Sequence, residues 1–398
     1  FLHIRELIMI FSKEEYLSRL SKVKKEMDQK NMDVLILTDP SNMNYLTGYD
    51  GWSFYVPQGV IISLDREQPI WFGRKQDSNG AKVTTYLDHE NIIFYPEELI
   101  QAPPTHPYDF VSSYLHENNW ASKNIGVEMD AYYYTAENHY RLTSTCPNAN
   151  FHDATCLVNW VRLVKSDTEV TYMKEGAKLV QAGMRTAFDS IKPGVKQSFV
   201  AGQILNSLIA GNEEIKIGGE YSGLTPILAS GISASASHLT PKDNIFNENE
   251  GTIIELAGVK HRYHCPLSRT VYCGKPDSKT SDTMKITNEG VENAISIIKP
   301  GKTAHDVAVA FWSVLEKYGI EKDSRLGYAT GLGYPPDWGE HTMSIRKNDM
   351  TVLEPNVTFH MIAGMWMDTW GLEISETINV TENGCELLCD LSRDLHLV

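Results

Sequence analysis

The sequence predicts an α/β domain over residues 1–160 followed by an α+β domain over residues 161–398, the second built as two similar halves about a pseudo-twofold axis. Three observations carry this. The 398 residues exceed what one ordinary core serves and suit two domains. Short apolar runs alternate with helical patterns in the first part, the mark of an α/β arrangement. In the second part "SIKPG" from Ser190 is echoed by "SIIKPG" from Ser296, each reading as helix, Lys-Pro-Gly turn, helix. The Pro-Gly steps at 193–194 and 300–301 lie 107 positions apart, too far for a solenoid period, and a ligand site is expected between the two halves.

The elements follow in order. Ser12–Asn31 has apolar residues at helical spacing, with Ser12 as N-cap and Glu15 three residues later, a capping box. "DVLILT" is a short apolar run stopped by Asp39-Pro40, hence a buried strand. "GVIISL", "PIWFG", "NIIFY" and "NIGVEM" follow at strand length. A new regime begins between Leu157 and Lys165, where the domain boundary is placed. Ser166 and Glu169 form a second capping box, opening a long amphipathic helix to about Ile191.

Composition excludes several classes. Hydrophobic content is 42% and charged content 22%, the range of a globular protein with enough apolar material for real cores. The net charge of −15, from 36 basic and 51 acidic residues with no basic cluster, argues against nucleic acid. No run of about 20 apolar residues offers a membrane span. The opening "FLHIRELIMIF" lacks the basic region and cleavage site of a signal peptide, and no function is placed on it. Cys146, Cys156, Cys265, Cys273, Cys385 and Cys389 are scattered, which fits reduced thiols in a cytoplasm.

The chemistry centres on "GTIIELAGVKHRYHCPLSRTVYCG", Gly251–Gly274. It reads as a hairpin of two apolar strands, with the pair Arg269-Thr270 placed where the chain turns back. Glu255 interrupts an apolar strand, where a carboxylate must be paired or functional. His261 and His264 are rejected as metal ligands, because at that spacing in a strand they point to opposite faces.

Across nearly its whole length the chain resembles the "pita-bread" family of creatinase, prolidase and methionine aminopeptidase. The resemblance rests on "DPSNMNYLTGY" (Asp39–Tyr49) and on the order of segments from about Val164 to Leu388. Metal-dependent members hold two metal ions with two Asp, one His and two Glu. The resemblance places those positions at Glu255, Pro266, Tyr328, Ile362 and Ser375, so one ligand-capable side chain of five remains. No metal and no cofactor are therefore expected. The segments Asn44–Gln58, Glu255–Val271, Gly331–Thr342 and Met365–Thr377 are similar to the ectoine-hydrolysing branch of the family. That branch implies metal-independent opening of a cyclic amidine, ectoine with hydroxyectoine as a further candidate, to an N-acetyl-2,4-diaminobutyrate. Another metal-free amidine or guanidine hydrolase, or a non-catalytic binding member, is the alternative.

An amidinium cation needs aromatic faces or a carboxylate beside it, and its hydrolysis needs a nucleophile and proton transfer. Glu255 is expected to attack the amidine carbon or to position water. The resemblance puts His238, in "SASASHLTP", at the family's proton-transfer histidine. Tyr263 and His264 are expected to line the pocket from the hairpin, and Phe359, His360, Trp366 and Glu373 from the late strands. The family arrangement implies a homodimer, with Trp52 as a lid over the pocket of the other subunit and Tyr55, in the same Gly-rich loop, among the substrate-binding residues.

Overall fold

The structure, a computed structural model, describes residues 9–212 and 215–398, so most of the opening segment lies outside the described residues. The chain divides into two compact units, one ending at Arg162 and the other running from Leu163 to Val398.

The first unit is a mixed sheet wrapped by helices. Helix α1 (Lys13–Gln29) begins where Ser12 Oγ accepts the Glu15 N–H, and buries Tyr16, Leu20, Val23 and Met27. The expected capping box is half made. The Glu15 carboxylate turns instead to Arg19, 2.8 Å away and one turn on. Strand β1 (Val34–Leu37) is wholly buried, and Asp39 stops it by accepting the Ser41 N–H at the start of α2 (Pro40–Thr47). Then come β2 (Gly59–Ser63), β3 (Ile70–Arg74), α3 (Lys75–Thr84), β4 (Ile92–Tyr95), α4 (Pro107–Glu117), β5 (Asn124–Val127), α5 (Ala136–Thr145), β6 (Asn150–Asp153) and α6 (Leu157–Val161). The sheet order is β4-β3-β2-β1-β5-β6. β2 is antiparallel to both its neighbours and the remaining pairs are parallel.

The second unit shows the repeat residue by residue. Its first half has α7 (Asp167–Ser190), α8 (Gln197–Ala210), β7 (Ile227–Ser230) and the hairpin β8 (Gly251–Lys260)–β9 (Tyr263–Tyr272). Its second half has α9 (Ser278–Ile297), α10 (Ala304–Lys317), β10 (Gly327–Tyr334), β11 (Asp337–Ile345) and the hairpin β12 (Thr358–Trp366)–β13 (Gly371–Val380), with β14 (Cys385–Leu387) and β15 (His396–Leu397) at its end. The Lys-Pro-Gly turns match in conformation, with Gly194 at φ +84° and Gly301 at φ +86°. Both are left-handed positions that glycine occupies without steric cost. The isolated bridges Lys196–Ile245 and Thr303–Val352 also repeat, each residue of the second lying 107 positions after its counterpart. The strands form one nine-stranded sheet, with β14-β13-β12-β10-β9-β8-β7 in order, β11 against β10 and β15 against β9.

Strand alternation gives this sheet two unlike faces. One face is a core beneath the helices. Ile254, Leu256, Cys265, Leu267 and Val271 pack with residues of α7 and α8. Phe359, Met361, Ala363, Leu372 and Ile374 pack with residues of α9 and α10. The α7 helix is fixed by a complete capping box between Ser166 and Glu169. The other face carries Glu255, Ser268, Thr270, Tyr328, His360, Glu373, Ser375 and Thr377, all of them polar.

Candidate active site

The hairpin turns at His261-Arg262, both with positive φ (50° and 67°), and not at Arg269-Thr270. Two consecutive positive φ values suit the tight two-residue connection between Lys260 and Tyr263. Arg269 sits deep in β9 on the helix-covered face. Its guanidinium bonds Glu376 Oε1 at 2.8 Å, Ser375 O at 2.6 Å and the carbonyls of Leu391 and Ser392 at 2.7 Å. It therefore ties both hairpins to the C-terminal segment. Thr270, on the polar face, donates to Glu373 O (2.9 Å) and accepts the Glu373 N–H (2.8 Å). The counterpart 107 residues on, Thr377, donates to Pro266 O at 2.6 Å. The two hairpins are thus laced across the pseudo-twofold axis by equivalent threonines, which fixes where Glu373 stands relative to β9.

Register brings the polar residues together. Glu255 pairs with Ser268, Ile362 with Ser375, and Tyr328 with His360. The Ser268 N–H donates to Ser375 Oγ at 2.7 Å. His360 lies between two hydroxyls, with Nε2 2.7 Å from Ser375 Oγ and Nδ1 3.1 Å from Tyr328 Oη. Tyr328 Oη also accepts the Trp338 Nε1–H at 2.8 Å.

Two carboxylates dominate the electrostatics. Glu255 and Glu373 are 5% and 1% exposed. Burial, and then the neighbouring Glu373, push the Glu255 carboxyl well above its ordinary range. Burial pushes Glu373 up to about 7, against the pull of the Ser268 hydroxyl and Lys322. The cation nearest this pair in effect is Lys322, which donates to Gly364 O at 2.8 Å and Ser324 Oγ at 2.5 Å. Burial pushes its own ammonium down to about 8, and its charge acts on Glu373 but is not among the influences on Glu255, so one cation stands against two carboxyls. Burial pushes His360 down to about 3, which keeps it a neutral imidazole. Burial of two neighbouring acids with one cation between them favours the protonated form of the pair.

The other expected site residues separate. His264 is fully buried and both ring nitrogens are engaged by backbone: Nδ1 with Arg262 O at 2.9 Å, and Nε2 accepting the Gly223 N–H at 2.8 Å. It holds the Gly223 segment and has no ring nitrogen left for a ligand. Tyr263 points to the opposite face, where its hydroxyl donates to Glu169 Oε1 at 2.7 Å and so anchors α7. Phe359 belongs to the core under α9 and α10, because its neighbour His360 takes the polar face. Trp366 shares the His360 face and packs against Ile227, Ala229, Ala234 and Ile253, with Lys322 Nζ 5.2 Å from its ring. His238 is exposed on the segment after β7, with Nδ1 3.1 Å from Ser237 Oγ; no hydrogen bond joins it to Glu255. Trp52 and Tyr55 belong to the first unit and are 58% and 63% exposed. Trp52 leans on Phe54, with ring centroids 4.9 Å apart.

Nothing local in the sequence places Lys322, Ser268, Ser375, Tyr328 and Trp338 in this polar cluster. The 107-residue displacement was the available signal, since it maps Ser268 onto Ser375 and Pro266 onto Glu373.

Sequence profiles match both units. The profile of metallopeptidase family M24 covers residues 171–382, and that of the creatinase/prolidase N-terminal domain covers residues 19–164. The chain belongs to family M24. It is 46% identical to an ectoine hydrolase of Halomonas elongata over 97% of this chain and 98% of that protein. It is 40% identical to an uncharacterised hydrolase/peptidase of Sinorhizobium fredii over 98% of each. A prolidase structure from Thermococcus sibiricus superposes with a TM-score of 0.83 at 16% identity, over 96% of this chain and 99% of that one. It shares the fold.

The family's metals fail a test against these side chains. Of the five ligand positions, Pro266 and Ile362 offer no donor atom at all, and Tyr328 and Ser375 are engaged with His360. His360 has both nitrogens occupied in turn. Among the described residues no group of three His, Cys, Asp or Glu is arranged to hold a metal ion. The donor set does not fit a two-metal centre. Nor is any helix among the described residues long and apolar enough to cross a membrane.

Proposed function

We propose that this chain hydrolyses the cyclic amidine of ectoine to an N-acetyl-2,4-diaminobutyrate, with carboxylates doing the work that metals do elsewhere in the family. The observation that carries this is the buried Glu255–Glu373 pair, raised in pKa and undercompensated by Lys322. A delocalised amidinium supplies the missing charge. Its arrival favours the ionised form of both acids and so arms the nucleophile at the moment of binding. The near-full-length similarity to a protein named for ectoine hydrolysis supports the choice of amidine.

In this mechanism Glu255 attacks the carbon between the two nitrogens, or directs water to it. The bond from that carbon to one ring nitrogen breaks, and the oxygen of water becomes the acetyl oxygen. Both protons of that water end on the leaving nitrogen, which departs as an ammonium. Two proton transfers are therefore required. Glu373, at about 7, is matched to accept and return a proton near neutrality. His238, on its exposed segment, is the second candidate for that duty. Trp366 forms an aromatic wall. The protein acts in the cytoplasm as a homodimer, the exposed Trp52–Tyr55 loop of one protomer closing over the pocket of its partner. Hydroxyectoine is accepted if the wall leaves room for one hydroxyl.

The test is proton NMR of ectoine incubated with chelator-treated protein. Ring signals are expected to give way to a free acetamide methyl. Creatine runs in parallel: turnover of creatine and not ectoine would move the chain to the guanidine hydrolases. Tight ectoine binding with no turnover would make it a binding protein.

A further inference from the structure

Neither hydroxyl beside His360 is free to choose its partners. Tyr328 Oη already accepts the Trp338 indole N–H, and Ser375 Oγ already accepts the Ser268 backbone N–H. Each has one further contact, with a different nitrogen of the same imidazole, at 3.1 Å and 2.7 Å. A neutral imidazole has one N–H and one lone pair. With the proton on Nδ1, His360 donates to Tyr328, and the Tyr328 hydrogen must point elsewhere. Nε2 then accepts the Ser375 hydrogen. With the proton on Nε2 the pattern reverses: Tyr328 donates to Nδ1, and the Ser375 hydrogen is the one released.

We infer that His360 is a tautomer relay that lets Tyr328 and Ser375 take turns as the hydrogen-bond donor to the reacting groups. The two ends stand differently toward the two carboxylates. Tyr328 lies in the field of Glu255 first, then of Asp337, and last of Glu373, and Ser375 stands two residues from Glu373 on the same face of β13. One pass of the relay moves four bonds in step. A proton enters Tyr328 Oη from the Glu255 side, and the Tyr328 proton passes to Nδ1. The Nε2 proton passes to Ser375 Oγ, and the Ser375 proton leaves toward the Glu373 side; after product release the reverse pass, with a solvent proton entering at Ser375 and one leaving at Tyr328, restores the Nε2–H form. Charge is the same before and after, so the buried imidazole never has to become a cation. That agrees with its strong burial, which disfavours the imidazolium. The relay rests on the proposed amidine hydrolysis for its use: it carries a water proton taken at Glu255 to the nitrogen leaving near Glu373. His360 touches no substrate in this scheme and is a positioning residue.

Two readouts test it. The first needs no substrate. Histidine-selective 15N labelling, with the His360 signals assigned by their loss in His360→Gln, reports the tautomer directly. Tyr328→Phe removes the partner of Nδ1 and is expected to shift His360 to the Nε2–H form. Ser375→Ala removes the partner of Nε2 and is expected to shift it to the Nδ1–H form, with the unaltered protein between the two. One unchanging tautomer in all three proteins would overturn the relay. The second readout is kinetic. Glutamine supplies one donor and one acceptor but cannot exchange them, so His360→Gln should keep KM and lower kcat by about 100-fold. Its solvent deuterium isotope effect should involve one proton where the unaltered enzyme shows several. Combining His360→Gln with Tyr328→Phe should cost no more than either alone, because both cut the same path. Losses that multiply would also overturn it. A protein that opens no ectoine ring refutes the proposed function, while the tautomers still decide the relay.

Discussion

Replacing Glu373 by glutamine should flatten the dependence of stability on pH. In the folded protein the Glu373 carboxyl sits at about 7, against an ordinary value of 4.5, and burial is the main cause. A raised carboxyl leaves folding unpenalised below pH 4.5, where both states are protonated. It costs stability progressively as pH rises toward 7, because the unfolded chain ionises freely and the folded one resists. The rise from 4.5 to about 7, at roughly 1.4 kcal/mol for each step of one in pKa, amounts to about 3 kcal/mol. The side chain is 1% exposed, so solvent screening takes little from this figure. Glutamine keeps the shape and cannot ionise, and it also removes the charge that raises Glu255. Guanidinium unfolding of both proteins at pH 5, 6, 7 and 8 gives the difference. Glu373→Gln is expected to gain on the unaltered protein as pH rises, by up to about 3 kcal/mol at pH 8. Ectoine added at pH 8 should restore stability to the unaltered protein by pairing with the ionised acids. Parallel pH profiles would show that Glu373 ionises freely, and the charge argument for the site would fail with it.

Arg269→Met leaves Glu376 buried without its main partner and should destabilise the protein by about 3–5 kcal/mol; the Arg269→Met, Glu376→Met pair should recover most of that in the same unfolding assay. Gly194→Ala and Gly301→Ala meet no atom within 4 Å, so each should cost only the left-handed backbone term of about 1–2 kcal/mol, with the two costs adding. Mixing inactive Trp52→Ala and Glu255→Ala subunits should restore part of the activity, since in the proposed homodimer a mixed pair regains one intact pocket. Absence of recovery after proven subunit exchange would count against a shared pocket.

Much of this architecture was legible because local signals agreed with the tertiary ones. The Ser166–Glu169 box and the apolar stripe behind it read directly as α7, since cap and core face need no distant partner. The Lys-Pro-Gly echo carried the pseudo-twofold, and Glu255 was legible as a lone carboxylate in an apolar strand. What escaped depends on contacts remote in sequence. The Ser12 box is only half made because Arg19, buried against Phe11 and Tyr45, draws Glu15 away. Adjacency in sequence groups Tyr263 with His264, yet strand alternation sends one to Glu169 and the other to Gly223. Arg269 was read as a turn residue because nothing nearby in sequence announces its partners at 375, 376, 391 and 392. The contacts of Ser375 and Tyr328 with His360 are likewise invisible until register sets them on either side of it.

Glu255 bears the central claim, and Glu255→Gln tests it most directly. The measurement is ectoine turnover by this variant beside the unaltered protein, both treated with chelator, with calorimetry of ectoine binding to the variant. Glutamine removes the charge and the nucleophile while keeping the shape. The prediction is normal folding, weakened but measurable binding, and turnover lower by at least about 100-fold. Near-normal turnover would contradict the account, remove Glu255 from the chemistry, and leave His238 with a bound water to carry the reaction.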